Sequence, residues 1–252
     1  FLFLGDETVS PLRAEEFLNN AQSIMPQPVE LGRSYRVLVF AAAALMSLSR
    51  KFSGQGLSGL EFAAGIPASL GGAIAMNAGA HGSQISDVLD SVLVYLPKQG
   101  LEHLRAEDLN FSYRHSSLSE GALVLAAQIS LEAKSKEEVS TKRAECLGYR
   151  KQTQPLSQPS SGSVFKNPTP VEIDSEKRAQ MSKNVTAAEL LDAVGVKGLE
   201  MGGVAFSNLH ANWLVRVSES ASSNDVLVLV KEAQKRVWEK YGISLEPEIV
   251  FW

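Results

Sequence analysis

The hydrophobic and polar positions along the chain predict several helices. A long helix is expected near the C-terminus, where apolar residues recur at helical spacing before the helix-stopping Gly242: Val226, Leu229, Val230, Ala233 and Val237. A serine or threonine followed three residues later by glutamate is typical of a helix start, and this pattern begins at Ser135 and at Thr186. We expect the first of these helices to end near Arg150 and the second near Gly195.

Shorter apolar runs predict strands between the helices. These runs cover residues 88–96, 101–105, 122–131, 204–206 and 211–217, while 37–50 predicts a strand leading into a helix and 11–21 a further helix. Strands and helices do not alternate regularly, so an α+β fold fits better than a doubly wound sheet. The polar, proline-containing stretch 152–161 predicts a loop and a boundary between two domains, 1–150 and 151–252.

Composition and charge narrow the classes of function. The chain has 252 residues, of which 44% are hydrophobic and 21% charged, which suits one large folded domain or two ordinary ones. The formal net charge is −4 and no long basic run occurs, so we expect no nucleic-acid partner. One cysteine, Cys146, excludes an internal disulfide and cysteine-rich metal sites. No apolar run is long enough to span a membrane, and we expect neither a membrane partner nor a metal.

The centre of the first half is rich in glycine. Residues 59–82 read Gly-Leu-Glu-Phe-Ala-Ala-Gly-Ile-Pro-Ala-Ser-Leu-Gly-Gly-Ala-Ile-Ala-Met-Asn-Ala-Gly-Ala-His-Gly. A run of exposed N–H groups with little side-chain bulk suits a flat ring or a pyrophosphate, and tight packing of helix and strand is an equally good interpretation. The run matches neither the dinucleotide pattern G-x-G-x-x-G nor a phosphate-binding loop that ends in Gly-Lys-Ser/Thr.

Two shorter motifs carry polar side chains suited to chemistry. Residues 111–117 read Phe-Ser-Tyr-Arg-His-Ser-Ser, and Arg114 beside Tyr113 could present a fixed cation to an anionic centre. Taken alone, such an arginine is more often a surface charge. Residues 160–168 read Ser-Ser-Gly-Ser-Val-Phe-Lys-Asn-Pro and put Ser163 in a polar turn. An ordinary turn is the better interpretation in isolation, and the motif is not the G-x-S-x-G elbow of hydrolases.

A pair of carboxylates lies close to the C-terminus. Residues 245–251 read Leu-Glu-Pro-Glu-Ile-Val-Phe, and the proline predicts a bend into an edge strand. Alternation would put Glu246 and Glu248 on one face. A carboxylate buried there would need a partner, for which an arginine or lysine would serve.

In combination and in this order, the motifs resemble one family, UDP-N-acetylenolpyruvoylglucosamine reductase, also called UDP-N-acetylmuramate dehydrogenase. The resemblance extends from about Gly59 to the end of the chain. It rests on Gly-Leu-Glu-Phe-Ala-Ala-Gly-Ile-Pro, Gly-Gly-Ala-Ile-Ala-Met-Asn-Ala-Gly-Ala, Tyr-Arg-His-Ser, Gln-Pro before Ser-Gly-Ser-Val-Phe-Lys-Asn-Pro, His210-Ala-Asn212 and Leu-Glu-Pro-Glu. The short spacing between Arg114 and Ser163 resembles the subclass that has no extra tyrosine-bearing substrate loop.

The resemblance implies a fold and a reaction. The implied fold is part of an FAD-binding α+β domain of the vanillyl-alcohol-oxidase type, followed by a smaller α+β substrate-binding domain. The implied reaction is the NADPH-driven, FAD-dependent reduction of UDP-N-acetylglucosamine enolpyruvate to UDP-N-acetylmuramate. It is a step in peptidoglycan precursor synthesis, and hence in cell-wall formation and division. The implied location is the cytoplasm, with the plastid stroma as the alternative.

The resemblance also implies roles for individual residues. Arg114 would stabilise the enolate, and Ser163 would protonate the carbon beside it. Glu248 would act at the same centre and would have to carry a proton in order to help, which burial favours. Substrate-binding roles are implied for Tyr113, Lys166 and Asn167. The implied FAD-binding positions are Gly65, Ile66, Pro67, Gly71, Gly72, Asn77, Ala78, Gly79 and Tyr113.

Three features depart from the family pattern. The Gly-x-Gly-Ser-Asn turn that holds the FAD pyrophosphate does not occur in the sequence, and residues 1–40 do not resemble the domain that carries it. Ala68 replaces a family glycine, and Arg216 stands where asparagine is common. The chain begins without methionine, so we expect that an N-terminal part is missing. These departures keep a second hypothesis open: a truncated, flavin-free homologue that only binds the UDP-sugar or a protein partner.

Overall fold

The computed structural model describes residues 29–31, 34–118, 120–169 and 185–251, and the chain forms two compact units, Phe1–Gly148 and Tyr149–Trp252. The boundary falls inside a helix, Lys136–Thr153. The boundary expected from the sequence lies two residues further along the chain. Both units combine sheets with helices, so the predicted α+β class is confirmed. The helix predicted over 11–21 lies outside the described residues.

The first unit is built on an antiparallel sheet. Its described strands are β1 (Val29–Leu31), β2 (Ser34–Phe40), β3 (Leu57–Ser58), β4 (Gly79–Ala80), β5 (Ser83–Gln84), β6 (Leu89–Leu96), β7 (Gly100–Arg105) and β8 (Leu123–Ala133). The sheet order is β1-β2-β8-β6-β7, with β3 also paired to β8, and β4 and β5 form a separate hairpin. The long strand β8 lies at the centre because it pairs with three neighbours.

The core of the first unit is formed by side chains at alternate positions of these strands and by the apolar sides of two helices. Val37 and Val39 of β2 are buried, as are Ala127, Ile129 and Leu131 of β8. Helices α1 (Leu45–Gly54) and α2 (Leu70–Ala75) contribute apolar side chains to the same cluster, among them Leu45, Phe52, Leu70 and Ile74. Helix α3 (Lys136–Thr153) begins after Ser135, whose Oγ accepts the N–H of Glu138 at 3.1 Å as its spacing predicts.

The second unit has its own smaller sheet and core. Its described strands are β9 (Ser160–Ser163), β10 (Glu200–Met201), β11 (Val204–Phe206) and β12 (Trp213–Arg216), in the order β10-β11-β12-β9. Helices α4 (Ala187–Ala193) and α5 (Ser223–Tyr241) share a hydrophobic cluster with this sheet. The capping box at Thr186 and the left-handed Gly242 after α5 both occur where the sequence predicts them.

The strand β9 differs from the sequence prediction. Residues 152–161 were expected to form a loop and Ser163 to lie in a turn, yet Ser160–Ser163 is an edge strand paired with β12. A Ser-Ser-Gly-Ser sequence has no apolar alternation, so only the hydrogen bonds to β12 identify it as a strand. Among the described helices, none is long and apolar enough to cross a membrane.

Candidate active site

The glycine-rich segment 59–82 folds into short elements that use many of its own N–H groups. The N–H of Gly71 donates to the carbonyl oxygen of Ala41 at 2.8 Å, and that of Gly72 donates to the Oγ of Ser69 at 3.2 Å. The expectation of exposed N–H groups is therefore wrong at these positions. Tight packing accounts for Gly71, because a Cβ atom there would lie 3.0 Å from the Cβ of Ala41.

A pocket of about 260 Å³ opens beside this segment within the first unit. Its lining carries no charged side chain and consists of Ala42, Ala44, Met46, Ile66, Pro67, Ala68 and Ser69. Such a lining suits a flat ring better than a diphosphate, and the volume is below the roughly 300 Å³ at which ligand pockets usually begin. The described residues therefore fit a part of FAD rather than the whole. The methyl group of Ala68 stands in this pocket where the family pattern has glycine.

Asn77 is fully buried and connects two parts of the first unit. Its Nδ2 donates to the Oε1 of Gln84 at 3.1 Å and to the carbonyl oxygen of Ser112 at 3.0 Å. Its Oδ1 accepts the N–H of Ser86 at 3.1 Å. Because both amide N–H bonds are used, the side chain joins the β4–β5 hairpin to the segment that carries Arg114. A contact between Asn77 and FAD stays a prediction.

Tyr113 and Arg114 lie at the tip of a tight turn. Ser112 and His115 exchange backbone hydrogen bonds of 3.1 and 3.2 Å, and Arg114 has a φ of 54°. This left-handed conformation costs a non-glycine residue about 1 kcal/mol. The Nη2 of Arg114 donates to the carbonyl oxygen of Gly79 at 3.1 Å, and its guanidinium lies 5.0 Å from the centroid of the Tyr113 ring. The guanidinium is thus held in a fixed direction, as the stabilisation of a developing negative charge requires.

The second unit contains the other predicted catalytic residues. Ser163 ends β9 and is paired with Trp213 of β12. Residues that face each other across neighbouring strands point to the same side of a sheet, so Ser163 shares a face with Trp213 and Val215. Ser163 is half-buried and lies on the edge strand of the sheet.

Glu248 reaches the same strand region by backbone pairing. The N–H of Glu248 donates to the carbonyl oxygen of Val164 at 2.8 Å, and the N–H of Lys166 donates to the carbonyl oxygen of Glu246 at 2.9 Å. Phe165 and Pro247 face each other between these two bonds. The structure therefore brings Ser163 and the half-buried Glu248 to adjoining backbone positions, although 85 residues separate them along the chain (248 − 163 = 85).

Lys166 and Asn167, which are predicted to bind substrate, have partners inside the second unit. The Nζ of Lys166 lies 2.6 Å from the Oε1 of Glu246, whose side chain is 65% exposed. An ion pair this exposed stabilises the fold by about 1 kcal/mol at most, so an anionic ligand could compete for the lysine. The Oδ1 of Asn167 accepts the N–H of Ala187 at 3.0 Å, at the start of α4. Their roles in substrate binding stay predictions.

A larger pocket, of about 560 Å³, lies within the second unit. Polar side chains of Lys151, Gln154 and Asn208 line it together with Phe206 and Val215. Its volume falls in the range of about 300–1,000 Å³ that is usual for small-molecule sites.

His210 stabilises the turn before β12. Its Nδ1 accepts the N–H of Asn212 at 3.2 Å, which requires that Nδ1 carries no proton. Burial, and secondarily the positive charge of Lys197, lowers the pKa of His210 below its ordinary value of 6.5, while a backbone hydrogen bond acts in the opposite direction. The neutral form is therefore favoured in the folded protein.

Comparison with known proteins agrees with the sequence motifs. The model of the FAD binding domain matches residues 17–104, and that of the UDP-N-acetylenolpyruvoylglucosamine reductase C-terminal domain matches residues 154–252. The reductase of Prochlorococcus marinus is 36% identical over 88% of this chain and 72% of its own length. The chain belongs to the UDP-N-acetylenolpyruvoylglucosamine reductase family.

Other members of the family are similar to this chain to the same degree. The reductases of Bacillus pumilus and Bacillus subtilis are 37% and 38% identical over 84% and 85% of this chain. The chain spans 66% of the length of each of these two relatives. The crystal structure of UDP-N-acetylenolpyruvylglucosamine reductase from Thermus caldophilus has a TM-score of 0.69 and 35% identity, over 84% of this chain and 71% of that one.

Sequence reasoning missed the side chains that hold these segments together. Asn212 was noted only as part of a family motif, yet it is buried against the strand segment that follows Ser163. Its partner is 47 positions away, so no local pattern could have revealed the contact. Asn77 was predicted to bind the cofactor, and its hydrogen bond to the Arg114 segment had no signal in the sequence. Among the described residues, no group of three histidine, cysteine or carboxylate side chains could hold a metal ion.

We predict that Gly79→Ala releases Arg114, because a Cβ atom at Gly79 would lie 2.7 Å from the carbonyl oxygen of Ser83 and 2.8 Å from the Cβ of Gln84. The hairpin must then shift, and with it the carbonyl group that Arg114 contacts. Hydrogen exchange of the amides of Ser112 and His115 should accelerate by about 10-fold or more, as expected for a local loss of about 1.4 kcal/mol.

Gly82→Ala is the matched control for this variant. It lies in the turn of the same hairpin, and no atom lies within 4 Å of the added Cβ, although Gly82, unlike Gly79, has a positive φ. It should cost about 1 kcal/mol of backbone strain and leave exchange at Ser112 and His115 unchanged. Equal acceleration in both variants would show that the Gly79 contact does not hold the turn.

We predict that the second unit loses stability as the pH falls through 6.5, and that His210→Gln loses less. Since the pKa of His210 is lowered in the folded state, the unfolded chain takes up the proton first. The contribution of His210 is therefore complete above pH 6.5 and declines below it. Urea unfolding at pH 7.5 and 5.5, followed by tryptophan fluorescence, measures the difference, because Trp213, Trp238 and Trp252 all belong to this unit. If the free energy of unfolding falls by the same amount in His210→Gln as in the unaltered protein, the prediction is wrong.

Proposed function

We propose that this protein is an FAD-dependent oxidoreductase that uses NADPH to reduce UDP-N-acetylglucosamine enolpyruvate to UDP-N-acetylmuramate in peptidoglycan precursor synthesis. Membership of the reductase family supports the reaction class. The observation that supports it most directly is the backbone pairing of Val164 with Glu248, because it brings the chain segment of Glu248 next to the segment that carries Ser163. The reaction needs the side chains of Ser163 and Glu248 near the carbon that receives a proton.

The first unit would bind one part of FAD and would hold the guanidinium of Arg114 in position. FAD, when bound, supplies the hydride that NADPH has delivered to it. The pocket around Ile66, Pro67 and Ala68 would take one of its flat ring systems. Arg114, fixed by Gly79 and stacked near Tyr113, would face the oxygen on which negative charge develops.

The contribution of the second unit is proton transfer and substrate binding. Hydride addition at the methylene carbon of the enolpyruvyl group leaves an electron pair on the neighbouring carbon, delocalised into the carboxylate. The Oγ of Ser163 gives its proton to that neighbouring carbon, and the resulting alkoxide regains a proton from solvent. Glu248 would act at the same enolate, as the resemblance to the family implies.

The 560 Å³ pocket is the best candidate for the nucleotide end of the substrate. It lies in the unit that carries Ser163 and offers both apolar surface and polar groups, including Phe206, Gln154 and Asn208. Lys166, with its exposed partner Glu246, supplies a cation that a phosphate group could recruit. We expect the compartment to be the cytoplasm.

The absorption spectrum of the purified protein tests the cofactor. We expect the visible bands of bound flavin, either as isolated or after incubation with FAD and removal of the excess. These bands should bleach when NADPH is added without oxygen, and should return when UDP-N-acetylglucosamine enolpyruvate follows. Protein that stays colourless and takes up no FAD would contradict the proposal and favour the flavin-free homologue that only binds.

For the serine we predict that Ser163→Ala separates the two half-reactions. Flavin reduction by NADPH should proceed at the normal rate, since no proton from Ser163 is needed there. Reoxidation by the enolpyruvyl substrate should slow by about 10²–10⁴-fold, the usual contribution of a general acid. Stopped-flow absorbance measures each step separately.

Ser161→Ala is the control for this experiment. It removes an exposed hydroxyl from the same strand, two positions away. Both half-reactions should be unaffected. If Ser163→Ala reoxidises as fast as the unaltered protein, Ser163 is not the proton donor.

A further inference from the structure

A buried side-chain amide joins the strand region after Ser163 to the turn before β12. Asn212 is 4% exposed. Its Oδ1 accepts the N–H of Phe165 and its Nδ2 donates to the carbonyl oxygen of Phe165, both at 2.9 Å. Its own carbonyl oxygen accepts the N–H of Val164 at 2.9 Å. Three hydrogen bonds from one residue therefore hold the two residues that follow Ser163.

The same two residues carry the pairing that fixes Glu248. The carbonyl oxygen of Val164, whose N–H is bonded to Asn212, accepts the N–H of Glu248. Phe165, whose N–H and carbonyl are both bonded to Asn212, faces Pro247. A shift of this segment would therefore move the backbone of Ser163 and the backbone of Glu248 together.

An amide is well suited to this position. Phe165 presents one donor and one acceptor in the same direction, and asparagine offers one acceptor and one donor in a fixed planar geometry. A buried backbone group that loses its partner is unfavourable, so the segment cannot easily exchange these bonds for others. Leucine at this position would leave both Phe165 groups unpaired, whereas aspartate would still accept the N–H.

We propose that Asn212 is a positioning residue for proton transfer: its side-chain amide sets the register of the Ser163–Lys166 segment and so aligns Ser163 with Glu248. Asn212 touches neither substrate nor cofactor in this role. The kinetic part of the proposal rests on the proposed function, whereas the structural part concerns the chain alone.

Hydrogen exchange tests the structural part without any cofactor. In Asn212→Leu we expect the amides of Val164, Phe165 and Glu248 to exchange at least about 10-fold faster, while those of β11 stay protected. Asn212→Asp keeps one of the two side-chain hydrogen bonds. The exchange rates of these amides in this variant should therefore lie between those of the unaltered protein and those of Asn212→Leu. In the unaltered protein the amide of Phe165 should exchange as slowly as those of β11, a result that does not depend on any variant folding.

Leu229→Ala is the matched control for lost stability. Leu229 is 1% exposed, belongs to the same hydrophobic cluster and makes no hydrogen bond to the segment through its side chain. It should accelerate exchange across the whole second unit. If Asn212→Leu gives the same uniform pattern, or if Phe165 exchanges freely in the unaltered protein, Asn212 does not set the position of this segment and the proposal fails.

Half-reaction kinetics test the catalytic part. In flavin-loaded Asn212→Leu or Asn212→Asp we expect normal reduction by NADPH and reoxidation by substrate slowed by about 10²-fold, the cost of a displacement of about 1 Å at a reacting group. Leu229→Ala should reoxidise normally while folded. Normal reoxidation in the Asn212 variants would overturn the proposal. If no flavin binds to the unaltered protein, the proposed function fails, and the exchange experiment still decides whether Asn212 positions the segment.

Discussion

Asn212 supplies the two hydrogen bonds that the buried backbone of Phe165 would otherwise take from a neighbouring strand. The residues after β9 continue beyond its pairing with β12, so their backbone polar groups need other partners. A side-chain amide meets this need because it repeats the donor and acceptor of the peptide group. Asn77 does the same for the carbonyl group of Ser112 in the first unit. In each unit, a buried asparagine holds the irregular backbone on which a predicted catalytic side chain stands.

The regular parts of the fold were predictable because they obey local rules. The helix Ser223–Tyr241 has an apolar stripe and a left-handed glycine at its end, and both were predicted from the sequence, whereas its capping box, formed by Ser222 with Asp225, was not. The strand Leu89–Leu96 was likewise predicted to within one residue. The strand Ser160–Ser163 was not predicted, because its polar residues form a strand only through pairing with Trp213–Arg216, about 50 positions away.

The candidate site was predictable in its residue types but not in their connections. Arg114, Ser163 and Glu248 were identified by resemblance, and the structure shows which neighbours hold each of them. What the sequence could not provide was the carbonyl group of Gly79 as the partner of Arg114, or the pairing of Glu248 with Val164. These contacts span 35 positions or more, and sequence periodicity carries no information over such distances. At Gly71 the sequence suggested a contact with the ligand, whereas the structure shows that close packing against Ala41 requires glycine there.

The pairing of residues 164–166 with 246–248 has a consequence for the order of folding. Lys166 and Glu246 are 80 positions apart, so closing this contact means closing a long loop, which is slow compared with forming helix α5 or the β11–β12 pair. During synthesis, residues 246–248 leave the ribosome long after Ser163 does. Val164 and Lys166 therefore lack these backbone partners until residues 246–248 have been synthesised and have docked.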